Sequence, residues 1–135
     1  MAESFNFELV SPERLLVSGS VTSVVIPATE GEMTVMANHA PTMTTIKPGV
    51  VAVEFADGKS DRFVVFGGFA DIIPTGCTLL AESAIHVDQF NSEEISKRID
   101  AARVELADAS GDEHKFRIED YMAQLTTLQG AILPA

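Results

Sequence analysis

The stretch VVAVEFADGKSDRFVVF, residues 50 to 66, decides the fold because it combines two alternating apolar runs with a tight turn. Val51, Val53 and Phe55 occupy alternate positions before the turn, and Phe63 and Val65 do so after it. Asp57-Gly58 separates the runs, and glycine tolerates the positive φ that such turns require. The stretch therefore predicts a β-hairpin.

Further short runs of the same kind flank this hairpin. FNFEL (5–9) alternates before SPE, VTSVVIP (21–27) stops at a proline, and CTLLA (77–81) follows a turn at Pro74-Thr75-Gly76. The GG pair at 67 and 68 indicates a bulge or a close backbone approach. Many short strands at close spacing without an intervening helix predict an antiparallel sandwich or barrel.

The composition changes sharply near residue 89. Residues 1–88 contain five of the six prolines and seven of the nine glycines, whereas 89–133 contain no proline. Asn91 is a suitable N-cap and Glu94 completes a capping box, after which an apolar stripe has the 3.6-residue period of a helix. Gly111 ends this helix, and a second apolar stripe runs from Ile118 to Leu128. The region predicts an antiparallel helical hairpin.

Charge and composition exclude several classes of partner. The chain has 135 residues, and 46% of them are hydrophobic, which argues against intrinsic disorder. Its formal net charge of -11 repels nucleic-acid phosphates and anionic lipid headgroups, and no run of Lys or Arg offsets it. Neither a leader nor an apolar run of membrane-spanning length occurs. We expect no nucleic-acid partner, no direct membrane insertion and a cytosolic chain.

The single cysteine, Cys77, lies in the apolar alternation CTLLA. Nothing basic lies near it in sequence to lower its pKa, so we predict a small core residue and not a nucleophile. One cysteine cannot form an internal disulfide, which fits a reduced compartment.

The segment EGEMTVMANHAPTMTTIKPG, residues 30 to 49, contains residue types that catalytic sites use. Glu30 and Glu32 would project to one side of an extended chain, and His39 follows them, so a carboxylate pair or a dyad is conceivable. No Ser or Cys stands in a strand-to-helix elbow, and no histidine shares zinc-ligand spacing with another His or Cys. We therefore predict no catalytic residue and no metal site; the simpler interpretation is a solvated strand end.

One feature of the first predicted helix has two interpretations. In IDAAR, Asp100 and Arg103 are three residues apart and share a helix face. They could bind the ribose or adenine and the phosphates of a nucleotide, or form a surface ion pair, which the spacing favours. No phosphate-binding glycine loop occurs elsewhere in the chain.

Five segments in this order give the sequence a specific likeness to one family. It resembles the epsilon subunit of bacterial rotary F-type ATP synthases along nearly its whole length. The segments are FELVSPERLLVSG (7–19), EGE...HAP...IKPG (30–49), GGF (67–69), AESAIHVDQF (81–90) and IDAARVELADA (99–109).

The resemblance implies a mainly β fold with an α appendage and a noncatalytic role. It implies a two-sheet antiparallel β-sandwich over 1–88 and a C-terminal helical hairpin over 89–135. Such a subunit belongs to the central stalk, or rotor, binds the gamma subunit and the c-ring, and couples proton translocation to ATP synthesis. It needs no cofactor and is peripheral to the cell inner membrane on its cytoplasmic side. The residues that would contact the c-ring are Glu30, Glu32, His39 and Pro41.

In some members of that family ATP binds the hairpin through the motif [I/L]-D-x-x-R-A. Ile99, Asp100 and Arg103 match it, but Val104 replaces the final alanine with a bulkier residue. Over 116–132 the only cation is Arg117, so the hairpin has little with which to bind the acidic surfaces of the catalytic alpha/beta head. We predict weak ATP binding and weak or absent inhibition of hydrolysis.

Two other functions remain open beside the favoured rotor subunit. An ATP-sensing inhibitory regulator requires measurable ATP affinity at Asp100 and Arg103. A small enzyme built around His39 would keep an activity in the purified chain. Copurification with the gamma subunit distinguishes the rotor subunit from both.

Overall fold

A computed structural model describes residues 3–90 and 92–132, except for the side chains at 92, 94 and 130–132. The chain divides into two compact units, Met1–Asp88 and Gln89–Ala135. The first unit contains the strands and the second contains the two α-helices.

Over the described residues 3–90 the chain forms seven strands and one short 3-10 turn. The strands are β1 Phe5–Ser11, β2 Arg14–Ala28, β3 Gly31–Met36, β4 Thr42–Phe55, β5 Ser60–Ile73, β6 Gly76–Ala81 and β7 Ala84–His86. The 3-10 turn, Val87–Gln89, follows β7 directly and crosses the boundary between the units.

The predicted hairpin is confirmed as β4 and β5. Val51 pairs with Phe63 in the antiparallel register, and the backbone N–H of Phe55 donates to the carbonyl of Lys59 over 2.8 Å. Gly58 adopts a φ of 91°, which glycine reaches without steric cost. The Asp57 carboxylate accepts from the N–H of Lys59 over 3.0 Å and so closes the turn.

The strands form one continuous hydrogen-bonded sheet that folds back on itself. Its order is β1-β6-β5-β4-β2-β3, and β2 also pairs with β1. The N-terminal half of β5 pairs with β7 and its C-terminal half with β6, so this long strand serves two regions of the sheet. The predicted antiparallel β arrangement is confirmed with one exception, because β1 and β6 pair in parallel. The β5–β6 turn returns the chain beside β1, whose other edge is already occupied by β2.

A glycine pair allows β5 to change direction between these two regions. Gly67 and Gly68 have φ values of 110° and 138°. A Cβ on Gly68 would lie 2.1 Å from the carbonyl oxygen of Leu80, so only glycine fits there. The close backbone approach that GG indicates is confirmed.

The main core cluster contains residues from the alternating strand positions that the sequence pattern singles out. Phe7, Leu9 and Val51 are fully buried, and Cys77 is 3% exposed. The prediction that Cys77 is a core residue is confirmed. Further members of this cluster are Val21, Val24, Ile26, Val35, Val53, Phe63, Val65, Ala70, Ile72 and Leu79.

The second unit contains α1 Ser92–Asp108 and α2 Asp112–Ile132, which pack against each other. Gly111 has a φ of 88° in the link between them, as a helix-ending glycine requires. The buried apolar side chains follow the predicted stripes and are Ile95, Ala102, Ile118, Leu125 and Leu128. The predicted capping residues, Asn91 and the side chain of Glu94, lie outside the described residues. Neither described helix is long and apolar enough to cross a membrane.

Candidate functional site

The segment 30–49 is mostly strand. Glu30 lies in the turn before β3, the segment continues through β3, and only residues 37–41 connect β3 to β4. The segment is therefore not one loop. Pro48 and Gly49 pair with Phe66 and Val65 inside β4, and a Cβ on Gly49 would lie 2.5 Å from the Cβ of Pro27. Pro48 and Gly49 therefore lie where β4 packs closely against β2.

The structure separates the carboxylates of this segment from its histidine. Glu32 stands on β3 opposite Pro27, whereas His39 and Pro41 follow the far end of the strand. From Glu32 to Met36 the strand alone spans roughly 13 Å at 3.3 Å per residue. Glu30, Glu32 and Pro41 are exposed and His39 is half-buried. The four residues thus lie on or beside an edge strand, because among the described strands β3 pairs only with β2.

Hydrogen bonds hold the 37–41 connection in a defined shape. Asn38 has a φ of 66°, which asparagine tolerates better than most residues. Its backbone N–H donates to the carbonyl of Pro74 over 2.9 Å, and its Nδ2 donates to Oε2 of Glu3 over 2.6 Å. His39 donates from Nδ1 to the carbonyl of Ala40 over 2.8 Å, since a carbonyl can only accept. The loop is therefore tied to Glu3, which precedes β1, and to the β5–β6 turn.

The residues that match the nucleotide motif lie on the surface of α1. Nη1 of Arg103 donates to Oδ1 of Asp100 over 3.3 Å, and both side chains are mostly exposed. The surface ion pair that the spacing favours is confirmed as a contact. Ile99 is half-buried, and Val104 is 65% exposed.

The helical unit also contains a shallow cavity of about 300 Å³. His114 lies at its wall with Nε2 3.6 Å from Oε1 of Glu105. Asp100 and Arg103 do not line this cavity. The lining residues are Ala102, Glu105, His114, Arg117, Ile118 and Tyr121.

Four apolar residues form a continuous row on the outer surface of the sheet. Phe69 pairs with Leu80, Leu80 pairs with Val10, and Val10 pairs with Leu15. Directly paired residues project to the same face, so the row crosses β5, β6, β1 and β2. Phe69, Leu80 and Leu15 are 56%, 50% and 54% exposed, and Val10 is half-buried. We call these four residues the apolar row.

Polar residues border the apolar row. The next outward-facing positions along the same strands are Asp71, Thr78 and Glu8, which pair with one another in that order. An apolar centre with a charged border is the usual anatomy of a protein interface. Leu79-Leu80 indicates an outward-facing apolar residue in the sequence itself, because two successive leucines in a strand must face opposite sides.

The described residues provide neither a reactive thiol nor a metal-binding cluster. Burial, assisted by the negative charge of Asp71, raises the pKa of Cys77 from 9.0 to about 11, which disfavours the nucleophilic thiolate. Over residues 3–90 and 92–132 no group of three His, Cys, Asp or Glu side chains could hold a metal ion.

Comparison with known proteins gives matches along the whole chain. The family described as "ATP synthase, Delta/Epsilon chain, beta-sandwich domain" matches residues 4–87. A protein named "ATP synthase epsilon chain" from Rhizobium meliloti (strain 1021) is 70% identical over 135 residues, which is all of both chains. A protein of the same name from Rhizobium etli (strain ATCC 51251 / DSM 11541 / JCM 21823 / NBRC 15573 / CFN 42) is 66% identical over 132 residues, 98% of each.

Two solved structures share the fold. One is described as "Cryo-EM structure of Euglena gracilis mitochondrial ATP synthase, OSCP/F1/c-ring in rotational state 1", with a TM-score of 0.74 and 24% identity over 98% of this chain and 83% of that chain. The other is described as "Cryo-EM structure of Tetrahymena thermophila mitochondrial ATP synthase - central stalk/cring". It gives a TM-score of 0.67 and 13% identity over 97% and 98% of the two chains.

Proposed function

The chain belongs to the ATP synthase epsilon chain family, and on that premise we propose that it is a noncatalytic central-stalk subunit of a proton-translocating F-type ATP synthase. In this role it is part of the rotor and transmits torque between the c-ring and the catalytic head. The subunit is peripheral, and its partners hold it at the cytoplasmic side of the cell inner membrane.

The observation that carries this proposal is the apolar row on the outer surface of the sheet. Burying such side chains against a partner removes apolar surface from water. The favourable free energy is roughly 25 cal/mol for each Å² of apolar surface buried. Phe69 supplies a large exposed aromatic side chain at the β5 end of the row, and aromatic side chains dominate interface energetics. We assign this face to the gamma subunit, because a rotor subunit must be held firmly by the shaft that it turns with.

A second surface suits the c-ring. Glu30 and Glu32 are exposed at one end of edge strand β3, and the tied loop with His39 and Pro41 lies at its other end. Polar contacts of this kind fix register and remain sensitive to salt. We propose that these four residues contact polar loops of the c-ring. The two surfaces give the subunit one apolar attachment and one polar attachment.

Charge substitution in the apolar row tests the assignment to gamma. Phe69→Glu and Leu80→Glu place a carboxylate where the proposed interface is apolar, so each variant should lose most of its copurification with gamma. Phe116→Glu makes the same change at a side chain on α2 that is 69% exposed, and it should copurify normally. Normal copurification of the two sheet variants would refute this use of the face.

The second candidate, an ATP-sensing inhibitory regulator, is supported by one observation. The motif residues Asp100 and Arg103 are exposed on α1 and accessible to a ligand. Removing residues 91–135 tests it in the assembled enzyme. Because Arg117 is the only cation over 116–132, we expect hydrolysis to change little, and a several-fold rise would favour the regulator.

A further inference from the structure

His86, the last residue of β7, is held at both ring nitrogens. Its Nε2 lies 2.5 Å from Oδ1 of Asp61 on β5, and the backbone N–H of Asp88 donates to its Nδ1 over 3.1 Å. Phe63 contacts the ring edge-on, with 5.2 Å between centroids and 86° between planes. All of these contacts lie within the first unit, whose last residue is Asp88.

The partners define which nitrogen carries the hydrogen. A carboxylate accepts, so Nε2 is the protonated nitrogen, while the N–H of Asp88 requires a free lone pair on Nδ1. The observed contacts therefore fit the neutral ring. An added proton can enter only at Nδ1, where it would point at another donor.

We infer that protonation of His86 releases its hold on the segment that joins the two units, Val87–Gln89. We call this proton-dependent contact the latch. Protonation of Nδ1 breaks the hydrogen bond from Asp88 N–H, because two donors cannot pair. Oδ2 of Asp88 lies 3.6 Å from Nδ1 and becomes the acceptor for the new N–H. The 3-10 turn has to rearrange to make that contact, while Asp61 keeps the ring on β5.

The charges around the ring favour this exchange of partners. The charged groups that the described contacts place against His86 are Asp61 from β5 and Asp88 from the 3-10 turn, and both are acidic. Strand β7 contributes no other ionisable residue. Asp61 also accepts from the backbone N–H of Arg62, which fixes the carboxylate in place.

Nuclear magnetic resonance on the full-length chain tests the latch from pH 8 to pH 5. We expect hydrogen exchange at the Asp88 amide, corrected for its intrinsic pH dependence, to rise about fivefold, as the loss of one hydrogen bond implies. The midpoint should coincide with that of the His86 ring resonances. The amide of Lys59, which donates to Asp57 over 3.0 Å, is an internal control and should keep its protection. Constant Asp88 protection through the ring titration would overturn the inference.

Two variants separate the latch from a purely structural role. His86→Gln keeps an amide donor and acceptor but does not titrate, so the Asp88 amide should stay protected down to pH 5. Asp61→Asn changes the group that holds Nε2, so any change in the midpoint of the ring should be matched by the same change in the midpoint of the Asp88 amide. A shift of the ring midpoint alone would refute the coupling, and this second variant decides the matter if the glutamine variant does not fold.

Discussion

Phe69 on β5 lies directly opposite Leu80 on β6, and both side chains are about half exposed on the outer face of the sheet. A lone exposed apolar side chain is ordinary, but a paired row that continues through Val10 and Leu15 covers four strands. This row gives a noncatalytic subunit a defined surface with which to bind a partner.

The close approach at Gly68 predicts a large stability difference between two glycine substitutions. Gly68→Ala places a Cβ 2.1 Å from the carbonyl oxygen of Leu80, which forces β5 and β6 apart. We expect it to lower the free energy of unfolding by about 3 kcal/mol or more, or to prevent folding. Urea denaturation measures this loss.

Gly31→Ala is the matched control for that experiment. Gly31 has a similar φ of 132°, but a Cβ there has no neighbour within 4 Å. Its cost should therefore be only conformational, about 1 to 2 kcal/mol. Equal losses in the two variants would show that backbone conformation, and not the contact with β6, explains the glycine at 68.

The buried thiol predicts a loss of stability at alkaline pH. The pKa of Cys77 is raised from 9.0 to about 11 in the folded chain, so the unfolded chain ionises first as pH rises. This contribution to the free energy of unfolding is complete below about pH 9 and falls between pH 9 and 11 by about 2 kcal/mol. Urea denaturation of the wild type and Cys77→Ala across this range measures the difference. A difference that does not change with pH would contradict the assignment.

The proposed c-ring surface predicts a coupling defect without misfolding. Glu32→Lys combined with His39→Ala changes two side chains that are not buried, so the isolated subunit should keep its unfolding midpoint. Proton pumping driven by ATP in membrane vesicles should fall several-fold, because the polar contacts that fix register are lost. Glu119→Lys makes the same charge change on α2 and should leave pumping intact. Normal pumping by the double variant would count against the surface.

The exposed pair on α1 predicts weak nucleotide binding. Calorimetry should detect no micromolar affinity for ATP, because Asp100 and Arg103 lie on an open helix face and do not line the cavity of the helical unit. Asp100→Ala should change the free energy of unfolding by less than about 1 kcal/mol, as for other exposed ion pairs. Micromolar affinity that disappears in Asp100→Ala but persists in Asp108→Ala would support the regulator instead.

Local patterns made much of the fold predictable. Asp57-Gly58 determines its hairpin within a few residues, and the apolar spacing from Ile118 to Leu128 determines a helix face. The parallel pairing of β1 with β6 was not predictable, because it depends on where the β5–β6 hairpin returns beside a distant strand.

The candidate surfaces were predictable only in part. The i, i+3 spacing of Asp100 and Arg103 correctly gave an ion pair. The distance between Glu32 and His39 could not be read from a short sequence separation, because an extended strand lies between them. The apolar row depends on the register among four strands, which alternation within a single strand does not fix.

The central claim is that this chain is a rotor subunit held by gamma and seated on the c-ring. Recovery of a tagged chain from detergent-solubilised membranes of cells that produce it tests it most directly. The proposal predicts that gamma and the c-ring are recovered with the wild type and that gamma is lost with Phe69→Glu. Recovery of the tagged wild-type chain without either subunit would contradict it.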